Sequence, residues 1–396
     1  SIFLPILRGK NRNVPSFHVM PSLVFVAGDP SGDAHAARLV EALTARTPDL
    51  ACAGLGGPAM QQAGVSLLDD LTTTAAIGPF DAARHLGRLL RARRLLKNHL
   101  TTHRPDLVIL VDFGDYNLPV IAPLVKRYGI PILYYISPQV WAWGRWRLRY
   151  IRRYVDRMVV FFPFEEAFYR REGIPVTWVG HPLVEQAKPT VSKEAAAKRF
   201  GLNPWRMTVG LLPGSRVDEV RRHLPLLLDV ARHMAWDMPG VQFLLPKAPN
   251  VSQTMFSALL SRARVDVIMA DGNVADALQL MDGAVVTSGT ATLEAAVCGV
   301  PMVVVYRTSW PTYLVASSVV RIPRIAMGNV VAERDLVPEF VQHRAPAHRI
   351  AKAGTQLLRQ DEQRATIQTG LTEVTARLGQ PGAVDRAAGV VLEMLK

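Results

Sequence analysis

Two cysteines are all that the 396 residues contain, Cys52 and Cys298, and each sits among small and apolar neighbours beside a strand-like run. That excludes a disulfide framework and leaves two reduced, buried thiols, as expected of a cytoplasmic chain. No uninterrupted apolar run approaches about eighteen residues, so no transmembrane helix is predicted and the chain is expected to be soluble or peripheral. The turn after the first strand-like run lacks the Gly-x-Gly-x-x-Gly spacing, which removes the usual dinucleotide signature. Acidic residues are in short supply, 33 against 46 Lys and Arg, leaving a formal charge of +13. The surplus points to an anionic partner, whether nucleic acid, a phosphorylated substrate or a membrane surface.

What is present is a folded globular composition, 49% apolar and 20% charged, in a chain longer than one core usually supports. Residues 1–19 carry a short apolar patch and basic residues without a small-residue cleavage site and read as a loose N-terminal extension. From Leu23 the pattern alternates: LVFVAG, LACAGLGG, DLVILVDF, IPILYYIS, RMVVFFP and PVTWVG as strands, with helices between them, one of them basic and spanning about Asp81 to His103. Runs so continuous in Val, Ile, Leu and aromatics fit parallel strands covered on both faces. HPLVEQAKPTVSK, with two prolines and weak periodicity, reads as a linker. A second series follows: MTVGLLPGSR, VQFLLP, VDVIMAD, AVVTSGT and PMVVVYR as strands, and helix beyond about Pro346. The reading is therefore α/β, two Rossmann-like domains with parallel sheets facing a cleft: 20–180, a linker at 181–195, 196–370, and a C-terminal helix at 371–396 able to pack back on the first domain.

In open parallel sheets ligands sit beyond the carboxyl ends of the strands, so the turns there are the candidates. GDPSGD offers Gly28, Ser31, Gly32 and Asp33. Either Ser31 or Asp33 caps the following helix, or the helix start meets a phosphate or hydroxyl ligand. LVDFGDYN places Asp112, Asp115 and Asn117 after the strongest strand; the carboxylates read as helix caps or, for one of them, as a general base. No neighbouring His or Glu cluster completes a metal-ligand set.

LLPGSR puts Gly214, Ser215 and Arg216 just before a helix, where backbone amides plus a guanidinium suit a pyrophosphate. TSGTATLE supplies Ser288, Gly289, Thr290, Thr292 and Glu294; the carboxylate is placed for ribose hydroxyls or as a partner of the helix dipole. SPQVWAWGRWRLRYIRRYVDR interleaves tryptophans with Arg145, Arg147, Arg149, Arg152 and Arg153. Such a segment binds single-stranded nucleic acid or lipid headgroups, or is a cationic helix face above packed aromatics. RHLGRLLRARRLLKNH is amphipathic and suits core packing or a membrane surface. His181, in GHP, reads as a packed or capping residue, with the cleft as the alternative.

Taken together and in order, AGDPSGD, SPQVWAW, GHPLVE, LLPGSR, SGTATLEAA and GNVVAERDLVPEFVQ resemble lipid-A-disaccharide synthase, over about Met20 to Lys396. Each motif is weak alone; the ordered set is specific. The resemblance implies a GT-B glycosyltransferase that transfers diacylated glucosamine from a UDP donor to diacylglucosamine 1-phosphate. The product is a β-1,6 disaccharide formed with inversion, and no metal or cofactor takes part. By position it makes Asp112 the general base toward the acceptor's 6-hydroxyl. Asp115, Asn117, His181 and the GDPSGD residues become supporting or acceptor-side groups. Arg216 would meet the leaving diphosphate and Glu294 the ribose, with Asn329 and Arg334 near the donor.

The implied partners are the two acylated sugars and an anionic inner-membrane surface rather than nucleic acid, with room for a homo-oligomer. The implied location is cytoplasmic, peripheral to that membrane. Two positions depart from the family: Asp29 replaces its usual Glu, and Gly328 stands where Pro is common. The competing enzyme readings are the N-acetylglucosaminyltransferase of peptidoglycan synthesis, whose Gly-Gly-Thr-Gly-Gly-His type turn is absent, and a UDP-N-acetylglucosamine 2-epimerase, which would lack the Trp-rich segment. The non-enzymatic reading is a basic binding module.

Overall fold

The computed structural model describes residues 20–72, 82–248, 251–308, 324–342 and 346–396. The extension expected at 1–19 lies outside them. The first sheet has seven parallel strands, β1 (Ser22–Ala27), β2 (Ala51–Gly56), β3 (Ser66–Asp70), β4 (Leu107–Val111), β5 (Ile132–Tyr135), β6 (Arg157–Val160) and β7 (Val176–Trp178), in the order β3-β2-β1-β4-β5-β6-β7. The second has six, β8 (Thr208–Leu212), β9 (Gln242–Pro246), β10 (Val267–Ala270), β11 (Gly283–Thr287), β12 (Met302–Tyr306) and β13 (Glu339–Val341), in the order β10-β9-β8-β11-β12-β13. Strand order reverses between β1 and β4 in one sheet and between β8 and β11 in the other, and crevices for ligands open beyond the carboxyl ends at such reversals.

The period of two along β1 divides the first core. Leu23, Phe25 and Ala27 join the cluster under helix Pro30–Arg46, while Val24 and Val26 join the one under helix Ala82–His103. β4 is buried along its whole length, as a central parallel strand should be. Two short strands escape the sequence pattern. Ser66–Asp70 is an edge strand carrying two aspartates, and Glu339–Val341, the opposite sheet's edge, is three residues long. The helix expected after Asn117 also differs: Gly114–Tyr116 leads into a π-turn, Asn117–Ile121, before Ala122–Lys126. Pro119 and Pro123 withhold two backbone donors there, which loosens the regular ladder.

The segment 181–195 holds a short helix, Leu183–Gln186, and is tied down further along: buried Asp276 accepts from the Thr190 N–H at 2.6 Å and its hydroxyl at 2.7 Å. Residues 371–396 are not one helix. Asp361–Arg377 packs through Ile367, Leu371 and Val374 in the second core; the chain then crosses and Ala383–Met394 packs Ala387, Ala388 and Val391 among Leu39, Leu43 and Phe25 of the first. The two crossings run side by side, with the His181 N–H donating to the Leu378 carbonyl at 2.9 Å and Arg386 Nε to the Val179 carbonyl at 2.8 Å. Among the described residues no helix is long and apolar enough to cross a membrane.

Candidate active site

Ala27 pairs with Val111, so the turns after β1 and β4 start side by side. Pro30 opens the first helix, which makes Asp29 its cap: the carboxylate accepts the Gly32 N–H at 2.6 Å. The expectation of Ser31 or Asp33 in that role is corrected. Asp33 is buried and accepts three backbone N–H groups, from Gly57 (2.8 Å), Ala59 (2.9 Å) and Met60 (3.1 Å), at the start of helix Pro58–Gln62. Its charge is spent on that second helix and not on a ligand. Gly28 has a steric task, since a Cβ there would stand 2.1 Å from the Phe113 ring, and a Cβ on Gly32 would stand 2.9 Å from the Asp29 carboxylate. Ser31 alone among the four is exposed.

Asp112 and Phe113 are both left-handed, with φ of 42° and 50°. Each non-glycine residue in that region costs about 1–2 kcal/mol, so the turn has to be held. Buried Asn117 holds it: Nδ2 donates to the Asp112 carbonyl at 2.9 Å and lies 3.3 Å from the carbonyls of Val26 and Val111. The Tyr134 hydroxyl donates to the same Asp112 carbonyl at 2.5 Å. Asn117 thus braces the turn through its amide nitrogen. Burial, joined by the negative Asp29, pushes the Asp112 carboxyl up to about 7; the Phe113 N–H, Arg216 and Arg147 oppose the rise. A carboxyl titrating near neutrality suits a general base.

The arginine run is not one surface. Arg145 pairs with Glu172 at 2.9 Å and Arg152 pairs with the same carboxylate, while Arg149 lies 4.7 Å from the Tyr150 ring centre. Arg147 turns inward. It is buried, donates from Nε to exposed Asp115 at 3.2 Å and from a terminal nitrogen as well, and lies 4.1 Å from the ring centre of Trp143 and 5.1 Å from that of Trp146. Sequence reasoning missed this residue, because periodicity sees five equivalent cations. The signal was local: Gly144 precedes it, and a Cβ there would stand 2.3 Å from the Arg147 guanidinium. Glu165 was missed too. It is buried, takes the Trp141 indole N–H at 3.2 Å and is pushed by burial up to about 8.

In the second domain Gly214 takes φ 107°, a conformation glycine allows. Its turn is closed by Glu219, which accepts the Ser215 N–H at 3.1 Å and the Arg216 N–H at 3.3 Å. The Arg216 side chain is exposed, 3.7 Å from Glu219, and its charge reaches Asp112 across the cleft. Beyond β11 the Ser288 hydroxyl donates to the Ile325 carbonyl at 2.8 Å, and the buried Thr292 hydroxyl to Gly289 at 2.7 Å. Gly289 and Thr290 are exposed at the start of helix Thr290–Val297, which has no side-chain cap. Burial raises the Glu294 carboxyl above the usual carboxylate range.

Three further candidates already have partners within the protein, and His181 is the packed residue its sequence context suggested. Buried Asn329 donates to the Val337 carbonyl and to Glu339, both at 2.8 Å, and accepts from the Leu336 and Val337 N–H groups at 2.9 Å, leaving nothing for a donor substrate. Arg334 pairs with Glu373 at 2.7 Å on the outer helix. His181 packs between Phe161 and Phe162, accepts the Leu183 N–H at 3.2 Å, and is pushed down to about 3 by burial and by nearby His35, so it is neutral. What comes together is Asp29, Asp112 and Arg147 from one domain and Arg216 from the other.

Solved structures share this architecture. A putative UDP-N-acetylglucosamine 2-epimerase from Listeria monocytogenes matches with a TM-score of 0.66 at 10% identity, over 94% of this chain and 96% of that one. MurG from Acinetobacter baumannii matches with a TM-score of 0.55 at 13% identity, over 94% and 99%. Fold alone therefore does not separate an epimerase from a transferase. Sequence does. The lipid-A-disaccharide synthase of Geobacter sulfurreducens is 41% identical over 373 residues, covering 94% of this chain and 97% of that protein. With a family model described as Lipid-A-disaccharide synthetase matching residues 23–394, this GT-B chain belongs to the lipid-A-disaccharide synthase family.

Proposed function

We propose that the chain joins UDP-2,3-diacylglucosamine to 2,3-diacylglucosamine 1-phosphate, with Asp112 as general base. The observation that carries this is one carboxyl, at the strand-order reversal, held in a left-handed turn, titrating near 7 and facing Arg216 of the other domain. The Asp112 carboxylate takes the proton of the acceptor's 6-hydroxyl as that oxygen attacks the anomeric carbon. The bond to the diphosphate breaks on the opposite face, which inverts the centre and releases UDP. Negative charge grows on the diphosphate, and the exposed Arg216 guanidinium and the uncapped helix start at Thr290 are the groups placed to receive it.

Glu294 is the candidate for the ribose hydroxyls. Its half-buried carboxyl makes no hydrogen bond with the described residues and can accept from two hydroxyls. Ser31 and Asp115, both exposed on the first domain, are the acceptor-side candidates.

The acyl chains call for an apolar surface and the net charge of +13 for an anionic one, which together fit a bilayer met at the cytoplasmic face of the inner membrane. Exposed Leu86 and Leu90 on helix Ala82–His103, with exposed Trp143 and with Trp146 beside Arg149, supply the apolar and cationic surface. The test is to incubate the protein with both acylated sugars and measure disaccharide and UDP. Transfer by the wild type and its loss in Asp112→Asn are expected; an Asp112→Asn protein that still transfers sugar refutes the base assignment. Sedimentation with anionic vesicles tests the membrane reading, and Leu86→Ser with Leu90→Ser should weaken it.

A further inference from the structure

The far end of the second domain carries a feature that the proposed reaction does not use. Trp205 is 93% exposed and Trp236 87%, while no other described tryptophan exceeds 47%. An indole left in water forgoes a large apolar burial, yet neither of these hangs on loose chain. Trp205 stands in the turn before β8. Its N–H donates to the Asn203 side chain at 2.9 Å, and the Gln242 side chain accepts from the Asn203 N–H at 3.1 Å and donates to the Asn203 carbonyl at 2.8 Å. Trp236 stands in the last turn of helix Val217–Asp237, where the Asp237 carbonyl accepts from Arg359. Arg206 ties the two segments together by donating to the carbonyls of Gly240 and, at 3.3 Å, Val241. Thr208 pairs with Gln242, so both indoles lie at the amino ends of β8 and β9, the pole opposite the cleft. Met207, two residues after Trp205, is exposed as well.

We propose that this pole is the contact surface for a second copy of the chain, the two copies meeting about a two-fold axis with their four indoles in the contact. The area suffices: aromatic side chains bury roughly 150–250 Å² each, so four indoles supply about 600–1,000 Å² of the roughly 1,600 Å² that a stable interface takes from water. Charge chooses the partner. With a formal charge of +13, two copies repel each other wherever cationic faces meet. Around the indoles the signs balance: Arg206, Arg232 and Arg359 stand with Asp229, Asp237 and Asp361, Arg232 lying 3.5 Å from Asp229. A face bearing both signs can meet its own copy, whereas an anionic bilayer or nucleic acid is drawn to an uncompensated cationic face. Rigidly held tryptophans flanked by arginine are also what the centre of a protein contact is made of. Joined at this pole, both copies keep their clefts open to substrate.

Sedimentation velocity of the full chain over a range of concentrations tests this. The wild type should pass from monomer to dimer as concentration rises, and Trp205→Ser with Trp236→Ser should weaken the dimer by at least about 10²-fold, as truncating paired hot spots does. Substituting side chains so exposed leaves the fold intact, which an unchanged far-ultraviolet circular dichroism spectrum checks. Added salt should tighten the dimer, because it screens the repulsion between two copies of charge +13, while it loosens attachment to an anionic surface. A wild type that stays monomeric into the tens of micromolar overturns the proposal. So does a dimer that the double substitution leaves as tight as before, or one that added salt dissociates. Vesicles of phosphatidylglycerol supply the remaining arm: a double variant that loses vesicle binding with its oligomeric state unchanged would assign the pole to a bilayer and overturn the contact between copies.

Discussion

The two strand-order reversals face each other across one cleft and are built by opposite means. In the first domain the turn after β4 uses two consecutive non-glycine residues in the left-handed region, braced by Asn117 and Tyr134 from beneath. In the second, Gly214 supplies the left-handed turn at no steric cost, and Arg216, Gly289 and Thr290 stay exposed. Strain and bracing fix an atom, which a proton acceptor needs. Glycine and open amides leave a surface that adapts to a diphosphate. On the proposed reading, the chemistry falls to the stiff half and the holding to the open half.

The largest effect that would break this division is at Asp112. Asp112→Asn should lower sugar transfer by about 10²–10⁴-fold with the fold intact, as loss of a general base does. A smaller loss means the stiff turn has another purpose. Next, Arg216→Ala should lower kcat by about 10²–10³-fold if it meets charge developing in the transition state. A rise in KM with unchanged kcat would make it a ground-state contact, and unchanged kinetics in both would remove it from the site.

Stability against pH separates the domains at a lower level. Asp112 and Glu165 are both held above ordinary carboxyl values, at about 7 and about 8. A carboxyl whose folded value is raised is still protonated when its unfolded counterpart ionises, so its contribution is full below the unfolded value and is lost as pH climbs through the folded one. The wild-type melting temperature should therefore fall by several degrees between about pH 5 and pH 9. Glu165→Gln should flatten that fall, and an equal slope in both proteins would show that Glu165 ionises freely. The smallest effect is in the second domain. Gly328 lies in the first turn of helix Met327–Ala332 with nothing among the described residues within 4 Å of an added Cβ, so Gly328→Ala should stabilise by about 0.4–1 kcal/mol in a thermal or denaturant melt.

The apolar strands were legible because burial on both faces writes a continuous run, as in Leu107–Val111. Two of the four edges were not, since Ser66–Asp70 carries two aspartates and Glu339–Val341 is only three residues long. At the site, the turns were found because strand ends and helix starts bracket them. Which residue in a turn does what was harder. Asp33 looks like a ligand residue until Gly57, Ala59 and Met60 come round to meet it, 24 to 27 positions away. Asn329 is the near-range version, consumed by residues 336–339. Arg147 is hidden for the reverse reason: five arginines in a row carry no mark of the one that turns inward, and only the packing of Trp143 and Gly144 supplies it.

The helix Ala383–Met394 gives the molecule an order of assembly. Its Ala387, Ala388 and Val391 close the apolar face of helix Pro30–Arg46. A ribosome makes that face long before it makes its cover. The second domain, whose core runs from Leu183 to Leu378, has its full complement earlier, although its synthesis begins later. During translation the first domain therefore waits, with Leu39 and Leu43 uncovered, for a segment still to be made, and a chain cut short before Ala383 would carry that exposed face permanently.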